Sequence, residues 1–413
     1  MSPTWNVGGA LTVGNTAAGT LDIEGGGSVS NTNGVLGEAS TGMGTATVTG
    51  AGSQWNNSGN LIVGDFGTSE LNIEAGGVVS SANSALGFQS TGMGTATVTG
   101  AGSQWNSSGN LFVGFSGTGE LNIEAGGVVS NSFGALGEAS TGMGNATVTG
   151  AGSQWNNSGN LIVGDFGTGE LNIGANGLVS VGSTLTLAEN GGSTGTLNLN
   201  AGGHLLLGGG AGGFESGDGT AAFNFAGGTL QITGTNLTSG IDATLSGMTS
   251  TIDTNGFDAV FSGGFTGSGA AAALTKIGTG MLTLAGTNTY TGTTMVKDGI
   301  LSLQNGAAIA DSGAVVVSSP GTLDLLSSER IGSLAGDGTV TLNAQTLTTG
   351  DAGDTTFDGT IAGAGGALIK EGAGAFTLTG ANTYSAGTTV NAGVLLANNT
   401  TGSATGTGEV SVQ

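Results

Sequence analysis

The stretch over residues 52–101, GSQWNNSGNLIVGDFGTSELNIEAGGVVSSANSALGFQSTGMGTATVTGA, recurs almost unchanged from Gly102 and again, in part, from Gly152. Trp55, Trp105 and Trp155 mark one phase of it at a constant interval, and Trp5, in the degenerate opening SPTWN, is the fourth member. Self-similarity at a fixed period means a stacked array in which each unit buries its apolar face on its neighbours. The repeat must therefore be read before any motif.

The repeat divides in two. ELNIEAGG (70–77) aligns with TATVTGAG (95–102), matching Leu71 to Ala96, Asn72 to Thr97 and Ile73 to Val98, while Val63-Gly64 matches Leu86-Gly87. The structural unit is half the repeat, used in two alternating versions. Each version holds three short runs of period-2 alternation, LIVG, ELNI and GVVS or ALG, TATVT and SQWN, separated by Gly, Asn, Asp and Ser. Nothing has helical spacing. Three short strands per half-repeat, in tandem, make one coil of an all-β parallel β-helix.

Composition agrees. A chain of 413 residues would ordinarily split into two or three globular domains, but a solenoid core grows lengthwise. Glycine at 89 positions suggests disorder at first sight, yet 37% of residues are hydrophobic, too many for a disordered acidic chain. The glycines sit at recurring turn positions, where positive φ or tight stacking favours them.

Four basic residues against 27 acidic ones give a formal charge of −23. Such a surface repels phosphate backbones and anionic headgroups, so the reading excludes nucleic acid and peripheral membrane binding. The absence of cysteine removes disulfides, thiolate metal sites and cysteine nucleophiles together. MSPTWNVGG has neither the basic nor the apolar region of a signal peptide, and no apolar run reaches membrane-spanning length. With GTGEVSVQ ending as if inside a strand, the expectation is a segment of a longer protein.

Three regions follow in order: the tandem tryptophan-marked repeats over 1–180, irregular coils over 181–273, and 274–413 with a second repeat type, all expected to form one continuous solenoid. Alternation places Ala96, Val98, Leu71 and Ile73 inside, with Glu70, Asn72, Glu74 and the threonines of TATVT outside. Stacking the two coil types alternates outer Glu with outer Thr, so Glu70, Glu120 and Glu170 stand two coils or roughly 9.5 Å apart. That is close to the screening length, and their repulsion is mild.

The candidate contact residues are Trp55, Trp105, Trp155, Phe66 and Phe166, with Phe88 and Phe133 in or near loops. The tryptophans recur only on alternate coils, and the expectation is that each covers a local gap at a corner. No cofactor is expected. Calcium is the weaker alternative, since Asp65 and Asp165 occupy equivalent turns but Phe115 stands between them and the calcium nonapeptide is absent.

The last third carries LTKIGTGMLTLAGTNTYTGTTMVKDGILSL (274–303), repeated as LIKEGAGAFTLTGANTYSAGTTVNAGVLLA (368–397) with the only tyrosines, Tyr290 and Tyr384. This pattern resembles the autotransporter-associated β-strand repeat, or passenger-associated transport repeat, of type V secreted bacterial passengers. The resemblance covers these two stretches, a minor part of the chain. It implies a right-handed, single-stranded parallel β-helix exported through a C-terminal outer-membrane β-barrel of the parent protein and displayed at the bacterial surface or outside the cell.

Chemistry is poorly represented. GGSTG (191–195) fits GxSxG without a strand-elbow-helix context, and GGGAGG (208–213) lacks the helix of a dinucleotide site. His204, the single histidine, reads as structural. A polysaccharide-degrading β-helix enzyme would need clustered carboxylates, for which Asp351, Asp354 and Asp358 with Arg330 are the best candidates, but their spacing does not unite them in strands and turns. An ice-binding solenoid would need threonine on every coil, and Asn72 and Asn122 interrupt the series. The reading is a non-enzymatic surface passenger or stalk in adhesion or self-association, whose partners are glycan, matrix or a second copy of itself.

Overall fold

The structure is a computed structural model and describes residues 3–267, 269–270 and 272–413. Two compact units, Met1–Asn224 and Phe225–Gln413, are taken separately. Among the described residues every regular element is a strand, and no helix is long and apolar enough to cross a membrane.

In the first unit each coil contributes one strand to each of three parallel sheets. One face includes Gln54–Asn57, Val78–Ser81 and Gln104–Ser107 and carries the tryptophans; a second runs through Asn60–Val63, Asn83–Leu86 and Asn110–Val113; a third through Thr68–Glu74, Met93–Thr99 and Thr118–Glu124. The third face has the register that the repeat comparison demands, with Glu70 beside Thr95, Leu71 beside Ala96 and Ile73 beside Val98. Its outward row reads Thr45, Glu70, Thr95, Glu120, Asn145, Glu170, so each glutamate is flanked by neutral residues. Like charges directly opposite would destabilise the ladder, and the two-coil alternation prevents that.

Within the tandem repeats, the step from one coil to the next is constant only on this face. Trp55 pairs with Val79 and Val79 with Trp105, a shorter step followed by a longer one. On the second face Leu61 pairs with Ser84 and Ser84 with Leu111, and the imbalance is greater. The two coil versions thus place their longer turns at different corners. At one corner Gly64, with φ +75°, has no room for a side chain, because a Cβ would stand 2.2 Å from the Met93 carbonyl oxygen. Glycine is required there by conformation and by stacking.

The core is a column of inward residues, among them Leu61, Val63, Leu71, Ile73, Val79, Leu86, Ala96 and Val98, all without solvent exposure. Trp55, Trp105 and Trp155 belong to this column. They lie in mid-strand between valines and not over corners, because alternation in SQWN turns Ser53, Trp55 and Asn57 inward together.

The second unit also stacks parallel strands. One sheet runs from Thr229–Ile232 and Ser250–Asp253 through Leu274–Ile277 and Thr294–Val296; another passes through Ala259–Phe261, Met281–Leu284 and Ile300–Leu303; a third contains Glu329–Ile331, Thr346–Thr349, Ala367–Lys370 and Gly387–Val390. Each unit is therefore a parallel β-solenoid.

Candidate functional site

Three surfaces of the first unit differ in chemistry. The tryptophan face presents Asn56, Ser80, Asn106, Ser130 and Asn156 in one outward row, and its corner holds an open trough of about 800 Å³ lined by serine and asparagine without a charged group. The third face presents Thr, Glu and Asn. The outward row of the second face is apolar and alternates in size: Val35, Ile62, Ala85, Phe112, Ala135, Ile162.

Beside that apolar face runs a corner ladder. The residues after the stacked corner positions, glycines up to Gly164 and then Ala188, are Glu38, Asp65, Phe88, Phe115, Glu138, Asp165 and Glu189, and from Asp65 onward their backbone amides donate to the preceding coil. Carboxylates at one coil spacing cannot all stay ionised while half-buried. Burial, then the neighbouring Asp165 and Glu189 charges, push Glu138 up to about 7; burial also raises Asp65, Asp165 and Glu189. Between the two acidic stretches the ladder becomes aromatic. The Phe88 and Phe115 rings stack at 4.9 Å, one coil rise apart, and Phe112 meets Phe115 edge-on at 5.2 Å.

The sequence candidates separate. Trp55, Trp105 and Trp155 have no accessible surface, so they are removed as surface contacts: period-2 alternation carries their indoles into the core. Phe66 and Phe166 are 45% and 54% exposed at turn tips. Phe88 and Phe133 are half-buried. Met43, Met93 and Met143, about half exposed on every second coil of the third face, were not singled out by sequence, although TGMG repeats in all three copies.

Buried polar groups beneath the surface are paired in sets. Trp55 donates its indole N–H to Asn31 Oδ1 at 2.7 Å, and Asn31 donates to Asn57; Trp155, Asn131 and Asn157 repeat this. The intervening coil substitutes Ser81, Ser84 and Ser107, which bond to one another and leave the Trp105 indole N–H without a partner. Gly34 and Gly134 correspond to Ser84, and a Cβ there would lie 2.5 Å from Asn57 or Asn157 Oδ1. Asn157 Nδ2 is also unpartnered, because the next coil offers Val181.

In the second unit the two late repeats bury the same polar skeleton. Lys276, fully buried, donates to the carbonyls of Ile277, Gly278 and Asp298 at 3.0, 2.6 and 3.2 Å; Lys370 reaches Glu371, Gly372 and Ala392 equivalently. Burial lowers Lys276 to about 8. Tyr290 and Tyr384 share hydrogen bonds with Thr294 and Thr388, and Asn288 and Asn382 bridge coils through their amides.

The reactive candidates are dispersed. Asp351 accepts from Gly353 N within its own turn, Asp354 from Ala375 N and Asp358 from Thr379 Oγ1, both on the following coil, while Arg330 pairs with Glu371 at 2.8 Å. Ser193 is buried and donates to Asn190 O, and His204 is exposed at a strand start. Among the described residues no three His, Cys, Asp or Glu side chains form a group able to hold a metal.

The passenger-associated transport repeat model matches residues 274–303 and 368–397, the two segments that share the lysine, asparagine and tyrosine skeleton. Over 181 residues, 41% of this chain, the sequence is 37% identical to an adhesin BmaC autotransporter of Brucella suis biovar 1 (strain 1330). The matched part spans about 5% of that relative. With two passenger-associated transport repeats on a parallel β-solenoid and this match to an autotransporter adhesin, the chain is similar to an autotransporter passenger domain.

Proposed function

We propose that this chain is a non-enzymatic, externally displayed segment of an autotransporter passenger acting in adhesion. The observation that carries the reading is the similarity to an autotransporter adhesin across a solenoid whose outward side chains repeat at fixed spacing. Near-identical coils offer one weak contact many times, which favours avid binding to a repetitive partner: glycan, matrix or a second copy of the chain. In this reading the parent carries a C-terminal outer-membrane barrel, and the segment is exported to the cell surface or beyond. The dispersed carboxylates support a binding role over a hydrolytic one.

The test places the chain on an otherwise inert surface display scaffold. Attachment to host matrix or glycan-coated surfaces, or clumping of the displaying cells, is the expected result. Equal behaviour from a β-solenoid of unrelated sequence and matched length would reduce the segment to a spacer.

A further inference from the structure

The repeats are close to identical, so the places where one copy departs from the others are informative. Phe88 stands where the other copies have Glu38 and Glu138, Phe115 where they have Asp65 and Asp165, and Phe112 where they have Ile62 and Ile162. Phe88 belongs to one coil and Phe112 and Phe115 to the next, yet stacking brings all three rings into one cluster. Charged surface positions have become aromatic in one patch only.

That patch is a pocket of about 230 Å³. Ala85, between Ile62 and Phe112 on adjacent strands, forms its floor, and Phe88 and Phe115 form one wall. The opposite wall is a ladder of Asn60, Asn83 and Asn110, in which Asn83 donates to Asn60 at 3.1 Å and accepts from the Asn110 backbone N–H. Asn60 Nδ2 and the Asn110 side-chain amide keep unused hydrogen-bonding capacity at the rim. Apolar ring faces opposed by convergent uncommitted amides are the chemistry of a small-ligand site and not of a plain exposed face.

We propose that this pocket binds a neutral saccharide. A sugar ring presents weakly positive C–H groups on one face, which suit the negative face of a ring in this cluster, and hydroxyls at its edge that can both donate to and accept from Asn60 and Asn110. The formal charge of −23 on the chain sets a negative field that disfavours sialylated or sulfated glycans. The proposal rests on the adhesion reading and names the ligand class for it.

The test uses the whole chain on an array of glucose, galactose and mannose oligomers with sialylated and sulfated glycans as the anionic arm, followed by calorimetry with the oligomers that bind. Neutral oligomers bind, and Phe112→Leu or Phe115→Leu, which retain apolar bulk without a ring, weaken binding about five- to tenfold. Asn110→Ala weakens it about fivefold. Met248→Ala, at an exposed position outside this site, leaves binding unchanged, and unaltered circular dichroism melting certifies each variant's fold. Anionic glycans binding as well as neutral ones, neutral binding untouched by the leucine variants, or a protein partner captured through the same rings would each overturn the saccharide site. Attachment that persists with no array signal overturns this site alone, whereas loss of all attachment overturns the adhesion reading with it.

Discussion

At the residue scale, the tryptophans show how a polar partner decides the value of a buried ring. Trp55 and Trp105 are equally buried, but only Trp55 has an acceptor for its N–H. Replacing either by Phe removes similar volume, while Trp55→Phe also strands the buried Asn31 carbonyl. We expect Trp55→Phe to cost about 1 kcal/mol more than Trp105→Phe, measured by urea denaturation under matched conditions; equal costs would show that the Asn31 bond contributes nothing. The neighbouring glycine obeys the same logic. Gly134→Ala drives a methyl into Asn157 Oδ1 and should destabilise by roughly 1–3 kcal/mol. The reverse exchange at the serine coil, Ser84→Ala, meets no such clash and should cost less; a larger loss at Ser84 would contradict this account.

At the element scale, the coil and its register were legible in the sequence because half-repeats at one constant offset put matching residue classes in contact on the third face. The chain does not announce which neighbours an inward asparagine has. The bond from Asn31, on the preceding coil, to Asn57 appears only after stacking, and recurrence on alternate coils alone suggested a corner for Trp55, which lies buried in mid-strand. The phenylalanine pocket was hidden for the same reason, since its rings meet only after stacking. The late repeats were recognisable from LTK and NTY, but not why they need lysine: Lys276 gathers three carbonyls, one from the following coil. Lys276→Met should therefore cost about 3 kcal/mol through charge-assisted bonds lost. In a solenoid that loss stays near its own coils, so hydrogen exchange should accelerate around Ile277 and Asp298 and not at Tyr384. Acceleration spread evenly across the second unit would refute local coupling.

At the scale of the whole chain, the decisive quantity is how acid acts on 27 carboxylates. Glu329 is buried, accepts from Ile309 N at 2.8 Å, and has an unpartnered Oε2; burial pushes it up to about 7, as burial and Asp165 do for Glu138 in the other unit. Both folded-state values lie above the ordinary 4.5, so folding takes up protons between these limits. The stabilisation is complete below about 4.5 and is lost as pH rises through about 7. Lys276 acts in a different window: held down to about 8, it makes stability rise with pH only between about 8 and 10.5. Most acidic chains lose stability as their paired carboxylates protonate, whereas this one should gain it, with relief of the −23 charge adding in the same direction. Urea midpoints should be higher at pH 5.0, still above the pI near 4.1, than at pH 7.5. Glu138→Gln with Glu329→Gln imitates the protonated carboxyls, so the double variant should be more stable than the parent at pH 7.5, by on the order of 2 kcal/mol per site, and by much less at pH 5.0. Parent and double variant with parallel pH profiles would show that neither carboxyl holds its proton against water in the folded chain.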